Sequence, residues 1–469
     1  MKREDLPVYS SWIDGKITLP KDPTGEWTIA SPARSDFPLA RFLYAYGQID
    51  EAALAAQQAH SIWKQKSFEE RQAILKKALA GILAQKEKLI EVAQLELGRS
   101  ATDLLLEWQQ IEKWIAEFEK FKPENRGSRG VTAIIGSYVW PFFYSIQFSF
   151  LNLLAGNTVV IKPSEKSTLT VLEWAKVFVA SEDTRNLIQV VVGEKELGRR
   201  LACHELVSNV IFTGSFEVGM RVRQDTLSQP TKEVLLYLGA KNPAILCEDY
   251  APAALDTLIQ DCFLASGQHC RSASVIFVHD SKYQAFIELF HQKAKQFKIG
   301  APMSQAFTGP LIDEAMLDRY LKFIGISERE GAEIVMRGKS LAQPEKGYFA
   351  TPTIAAFAEM TPERVKKSVS LQTEVLSPHV SVIRFESYDQ LIAMHAQLNY
   401  GLCGSIWGAN TVRNHKIAEQ LRLGNVVLNQ SLLEWNPAAS FQGMKKSGNH
   451  AYHGFQLYEQ LSSLKSVQE

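Results

Sequence analysis

VTAIIGSYVWPFFYSIQFSFLNLLAGNTVVIKPSE, residues Val131 to Glu165, is the stretch that decides the fold. Val131–Ile135 reads as a buried strand, Phe142–Leu154 as a helix, Ala155-Gly156-Asn157 as a turn and Thr158–Ile161 as a second strand. The alternation continues downstream. Thr168–Ala180 reads as a helix, Leu187–Val192 as a strand, Lys195–Cys203 as a helix and Val207–Phe212 as a strand, and Glu217–Arg223 opens another helix. Such a β-α-β-α-β series predicts a parallel, doubly wound sheet whose ligand lies beyond the carboxyl ends of its strands. Val139–Ile161 approaches the length of a membrane span, but Pro141, Gln147, Asn152, Gly156 and Asn157 interrupt it. A buried helix followed by a buried strand is therefore expected, and no membrane partner.

Upstream, residues 1–50 read as extended and irregular, with turns at Asp14-Gly15, Pro23–Gly25 and Ser31-Pro32. Helical periodicity follows in Glu51–His60, in one long run over Glu69–Gly98 with Gly98 as its stop, and in Thr102–Phe121. Downstream lies a second α/β run. Its strands are read at Pro243–Leu246, Ser274–Val278, Glu333–Met336, Val380–Phe385, Gly404–Trp407 and Val426–Leu428. Its helices are read at Tyr283–Phe297, Ala315–Ile324, Ser387–Ala396 and Val412–Leu421, with a domain boundary near Tyr237–Lys241. Phe455–Val467 reads as a short helix or strand suited to pairing with a neighbouring subunit.

The chain has 469 residues, enough for two or three domains at roughly 100 to 200 residues each. Lys+Arg and Asp+Glu balance at 51 each, which gives no electrostatic case for a nucleic-acid partner. The five cysteines, Cys203, Cys247, Cys262, Cys270 and Cys403, are odd in number and show no CxxC or metal-ligand spacing, so no metal is expected. A reducing cytoplasm fits, and the charged N-terminus has no apolar core of a signal peptide.

The chemistry centres on FLASGQHCRSASVIFV, Phe263–Val278, where a helix breaks into small and polar residues before a strand. Gly267 permits close backbone approach. His269 and Arg271 flank Cys270 and are expected to favour its thiolate, the nucleophilic form. The alternative is a buried cysteine acting as a small hydrophobe. At the first sheet's strand ends, Lys162, Ser164 and Glu165 suit ribose and phosphate contacts, or else form an ordinary strand-to-helix loop capped by Ser164 or Ser167. Gly214 and Ser215, with Gly219 one turn into the next helix, suit a pyrophosphate at a helix N-terminus. No GxGxxG, Walker or HExxH motif occurs.

Taken in order, AGNTVVIKPSE (155–165), FTGS (212–215), LGAKNP (238–243), GQHC (267–270), EVLSP (374–378) and NYGL (399–402) resemble the NAD(P)-dependent aldehyde dehydrogenase superfamily over essentially the whole chain. The tail KSGNH (446–450) looks like the succinylglutamate semialdehyde dehydrogenase subgroup. The resemblance implies an α/β fold: a Rossmann-like NAD domain over 1–115 and 131–236, an α/β catalytic domain over 237–437, and a small oligomerisation element over 116–130 and 438–469, the first part a hairpin. A homodimer or homotetramer is expected with it. So is a mechanism in which Cys270 adds to an aldehyde as a thiohemiacetal, hydride leaves to nicotinamide, and water cleaves the thioester. The resemblance gives Lys162 and Glu165 the adenosine-ribose contacts, Gly214 and Ser215 the pyrophosphate turn, and Glu374 a nicotinamide-ribose contact. A carboxylate at Glu165 would repel a 2′-phosphate, which favours NAD over NADP.

The chain also departs from the family pattern. Where the family has Pro-Trp/Tyr-Asn-Phe-Pro, this chain has SYVWP (137–141), which puts Val139 at the position of the oxyanion-stabilising amide. Where the family has Glu-Leu-Gly-Gly-Lys, it has YLGAK (237–241), which puts Tyr237 at the position of the water-activating glutamate. The glycine-rich Pro-Phe-Gly-Gly is SFQG (440–443). One missing oxyanion donor costs about 10²- to 10³-fold in rate, and a missing general base roughly 10²- to 10⁴-fold. Three readings stay open: an NAD-dependent aldehyde (or semialdehyde) dehydrogenase with impaired deacylation, a catalytically silent NAD-binding or regulatory protein on the same scaffold, and acyl transfer to a thiol such as coenzyme A.

Overall fold

A computed structural model describes residues 5–124, 126–451 and 454–464. Two seven-stranded sheets organise it. In the first, the order is Glu233–Tyr237, Val207–Thr213, Val131–Ile135, Thr158–Lys162, Ile188–Val190, Ser11–Ile13, Lys16–Thr18. The first five strands are parallel and the last two add on antiparallel. Chain order runs outward from Val131–Ile135 in one direction and then in the other. This reversal is the topological switch point at which doubly wound sheets bind ligands. The second sheet runs Glu333–Met336, Thr353–Phe357, His379–Phe385, Ala273–His279, Asn242–Leu246, Cys403–Trp407, Asn425–Leu428, parallel except at the Glu333–Met336 edge. The expected α/β architecture is thus present.

Local chemistry explains most boundaries. Ser67 opens helix Phe68–Leu83 with a capping box completed by Glu70. Gly98, in the left-handed region at φ 68°, ends helix Lys86–Leu97 as expected. The long helical run over Glu69–Gly98 is in fact two helices, broken at Ala84-Gln85. Helix Pro141–Leu154 is buried along its whole length, and strand Thr158–Lys162 after it is buried too. Among the described residues no helix is long and apolar enough to cross a membrane.

Several expectations need correction. Residues 1–50 are not irregular: strands Gly25–Ser31 and Arg34–Tyr44 form an antiparallel hairpin, and Ser11–Ile13 and Lys16–Thr18 another around the Asp14-Gly15 turn. Strands Glu233–Tyr237 and Thr353–Phe357 were not expected. No hairpin forms within the described residues of 116–130. Instead Gly127–Ser128 pairs with Ser462–Ser463 of the same chain, and Phe121 stacks on Phe455 at 4.1 Å. Residues 465–467 of the expected terminal segment lie outside the described residues.

Candidate active site

Helix Ala254–Phe263 packs its apolar face inward and then turns sharply into strand Ala273–His279. The turn uses three successive positive φ values, Ala265 at 54°, Ser266 at 54° and Gly267 at 66°. The two non-glycine residues cost about 1–3 kcal/mol each, and the surroundings fix them there. Ser266 N–H donates to Thr308 Oγ1 at 2.6 Å, and its hydroxyl to the Gly309 carbonyl at 2.6 Å. A Cβ on Gly267 would lie 2.3 Å from the Ser377 carbonyl oxygen, so only glycine fits. Asn242 holds the far side. Its Nδ2 donates to the Cys270 carbonyl at 2.7 Å and the Ser272 carbonyl at 3.0 Å, while its Oδ1 accepts from Cys403 N–H at 3.3 Å. Nothing in the sequence singles out Asn242 for this clamp.

The turn delivers Cys270 to the wall of a cavity of about 230 Å³. Val139, Tyr144, Gly214, Ser215, Tyr237 and Glu374 line the same cavity. Residues far apart in the chain thus meet the thiol. Lys162, Ser164, Glu165 and Gly219 do not line it. Lys162 ends the strand next to Val131–Ile135, is buried, and pairs with Glu165 at 2.5 Å. Ser164 Oγ accepts from Lys166 N–H, and Gly219 sits in helix Phe216–Asp225, where a Cβ would come within 2.5 Å of Leu238. Neither Ser164 nor Ser167 caps helix Thr168–Phe178. The buried Glu96 does so, accepting from Leu169 N–H, Thr170 N–H and the Thr170 hydroxyl at 2.6–2.7 Å.

Of the two flanking residues, Arg271 acts toward the thiolate as expected, but burial outweighs it. His269 faces the Trp140 ring at 4.2 Å, and its Nδ1 accepts from Arg271 N–H. The buried Arg271 guanidinium donates to the Leu432 carbonyl and Asn425 Oδ1 and lies over the Trp435 ring. Burial pushes the Cys270 thiol up to about 12, against the hydrogen bond from Tyr144 and the charge of Arg271. Burial thus favours the protonated thiol at Cys270. Tyr144, on the helix read from sequence as buried, has its hydroxyl 3.2 Å from Cys270 Sγ.

Tyr237 ends its strand with the ring against Phe148 and the hydroxyl donating to the Ala451 carbonyl at 2.6 Å, and burial pushes its phenol far up. Val139 presents no side-chain donor to the cavity. Glu374 folds onto the backbone of Gly239 and Ala240. Its Oε1 accepts from Ala240 N–H at 2.8 Å, and a Cβ on Gly239 would meet Oε2 at 2.1 Å. Burial raises its carboxyl to about 7, offset in part by that N–H and by Arg319 and Lys241. Among the described residues no cluster could hold a metal ion.

The helix behind the cavity is pinned from below. Glu107, fully buried, accepts from Phe143 N–H at 2.9 Å and from Arg99 Nη1 at 2.6 Å, and Arg99 also binds Asp103. The carboxylate therefore occupies the N-terminus of helix Pro141–Leu154, where negative charge is favoured.

Comparison with known proteins agrees with this geometry. Residues 29–467 match the model of the aldehyde dehydrogenase family. An aldehyde dehydrogenase from Bacillus cereus, solved as a point mutant, superposes with a TM-score of 0.89 at 26% identity, over 98% of this chain and 96% of that one. The Mycobacterium tuberculosis aldehyde dehydrogenase complexed with NAD+ gives 0.89 at 25% identity, over 98% of both chains. By the extent of the family match, by the sheet order and by the placement of Cys270 at the strand-end cavity, this chain belongs to the aldehyde dehydrogenase family.

Proposed function

We propose that this chain oxidises a small-molecule aldehyde with NAD through a thiohemiacetal and thioester on Cys270, and that it hydrolyses the thioester slowly. The observation that carries the reading is the meeting of Cys270 with Gly214, Ser215 and Glu374 around one cavity at the first sheet's strand ends. The residues fit a dinucleotide. Ser215 caps the ten-residue helix Phe216–Asp225, whose N-terminus suits a pyrophosphate, and the buried Lys162 with Glu165 suits the adenosine ribose. NAD, when bound, supplies the hydride acceptor. The NAD+ complex of the Mycobacterium tuberculosis relative supports the same choice here.

The rest is done by this chain's residues. Cys270 sulfur attacks the carbonyl carbon, and the Cys270 backbone N–H is the donor available to the developing oxyanion where Val139 offers none. Deacylation needs a base near water. The Tyr237 hydroxyl, committed to Ala451, is a poor one. The same feature favours a second reading, acyl transfer to a thiol such as coenzyme A, which needs no water-activating carboxylate. A catalytically silent, NAD-binding protein is the third.

A semialdehyde is the finer substrate reading, resting on the KSGNH (446–450) likeness. That segment buttresses strand Glu233–Tyr237, with Asn449 bonded to Leu236 N–H and the Val234 carbonyl and His450 to Glu233, and does not line the cavity. We assign 1–115 and 131–236 to the NAD-binding domain, 237–437 to the catalytic domain, and 116–130 with 438–469 to an element that joins subunits in a homodimer or homotetramer. Five free cysteines fit a reducing cytoplasm. The test is NADH formation across a panel of aldehydes and semialdehydes. Wild type should produce it and Cys270→Ser should not. NADH formation that survives Cys270→Ser would defeat the assignment.

A further inference from the structure

Helix Pro141–Leu154 begins one residue beyond Val139-Trp140, and its first turn carries Tyr144 into the cavity that holds Cys270. The hydroxyl lies 3.2 Å from Sγ, within hydrogen-bonding reach for a sulfur partner. The ring is buried against Phe143 and Phe148, at centroid distances of 5.5 and 5.7 Å. The helix start is itself fixed by the Glu107 carboxylate on Phe143 N–H. The hydroxyl is thus held at the reacting atom by packing and not by chance rotation.

Ser137, Tyr138, Thr213 and Ser215 also bring hydroxyls to the cavity, but among the described residues Tyr144 is the one placed at hydrogen-bond distance from Cys270 Sγ, and the residues at the family's catalytic positions leave this role open. Val139 has no proton to give, and the Tyr237 hydroxyl is turned to Ala451. Glu374 is engaged with Ala240 N–H. A neutral thiol adding to an aldehyde has to lose its proton while the carbonyl oxygen gains one.

We propose that Tyr144 is a catalytic residue of this chain, relaying the proton during formation of the thiohemiacetal. The proposal rests on the dehydrogenase reading above. The S–C bond forms as the carbonyl π pair moves to oxygen. Tyr144 gives its hydroxyl proton to that oxygen and takes the proton that leaves sulfur. The products are a neutral thiohemiacetal and a neutral tyrosine, with no net charge placed in the cavity. The relay avoids a free thiolate, which burial disfavours. It also places a donor at the oxyanion from the helix that, elsewhere in the family, carries the amide just before its start.

Tyr144→Phe removes the hydroxyl and keeps the ring. Two readouts are taken on the full chain. In the first, the rate of NADH formation in the first turnover should fall about 10²-fold, as for loss of one oxyanion donor, while NAD binding by calorimetry is unchanged. In the second, the pH profile of Cys270 alkylation by iodoacetamide should move to higher pH, because the thiolate loses its hydrogen bond. A Tyr144→Phe protein with the wild-type first-turnover rate, or with an unmoved alkylation profile, would overturn the role of Tyr144 and leave the dehydrogenase reading standing. Wild type that forms no NADH with any aldehyde would instead remove that reading, and the relay with it.

Discussion

The Tyr237 hydroxyl donates to the carbonyl oxygen of Ala451 at 2.6 Å, binding the end of a first-sheet strand to a segment 214 residues further along the chain. A phenol held as a donor by a buried carbonyl is stabilised in its protonated form. It is then doubly unsuited to take a proton from water, by its ordinary pKa of about 10 and by its surroundings. Tyr237→Glu should restore a carboxylate at the cavity and speed thioester hydrolysis. An increase of roughly 10²-fold or more in the slow phase is expected. Adding Val139→Asn should raise the first-turnover rate by supplying a second donor. Steady-state and pre-steady-state NADH absorbance check both. A slow phase indifferent to Tyr237→Glu would mean that hydrolysis is not limited by this position.

Cofactor binding should depend on pH through Glu374. Its carboxyl, raised by burial to about 7, is largely neutral below that pH and ionised above it. Only the ionised form accepts strongly from ribose hydroxyls, so NAD should bind more tightly as pH rises from about 6 to about 8. Glu374→Gln should flatten that dependence. Calorimetric titration at several pH values checks it, and affinity that falls through this range would contradict the assigned contact.

The adenosine end makes a separate prediction. Lys162 and Glu165 face each other at 2.5 Å at a strand's carboxyl end. Lys162→Ala and Glu165→Ala should each weaken NAD binding, and Glu165→Ala should in addition narrow the preference for NAD over NADP. Wild-type affinity in both variants would move the dinucleotide site elsewhere.

Beneath the cavity, Arg99→Met would leave Asp103 and Glu107 buried without their cation. Breaking such a pair costs about 3–5 kcal/mol. Denaturant titration should show a lower midpoint for Arg99→Met, and the first-turnover rate should fall as well, because Glu107 positions the helix that carries Tyr144. A midpoint equal to wild type would show that the buried pair adds nothing.

Much of this was legible in the chain. Val131–Ile135, Lys195–Cys203 and Glu333–Met336 occupy the residues that their apolar patterns mark out, because buried parallel strands and amphipathic helices write period and length into sequence. The first hairpin was hidden by its polar, half-exposed strands: Gly25–Ser31 and Arg34–Tyr44 carry Glu26, Asp36 and Pro38 among their apolar residues. Thr353–Phe357 is buried yet short and alanine-containing, and Glu233–Tyr237 fell where a domain boundary was expected. No Gly or Pro marks the break at Ala84-Gln85. At the site, Cys270, Glu374 and the glycines announce themselves by motif. Tyr144 sits in an aromatic run of a wholly buried helix, where one hydroxyl among Phe142, Phe143 and Phe148 gives no local sign of aiming at a sulfur. Arg271 is the converse case: adjacent to Cys270 in sequence, its guanidinium is turned to Leu432, Asn425 and Trp435, and its charge is outweighed at the thiol by burial.

The measurement that bears most directly on the central claim is rapid mixing of wild-type protein with NAD and an aldehyde, followed by NADH absorbance and intact mass. One equivalent of NADH should appear in a burst, followed by a slow phase, with an acyl adduct caught on Cys270. Fast continuous turnover with no burst and no adduct would mean that another group has taken over the missing base's work, and would contradict the account.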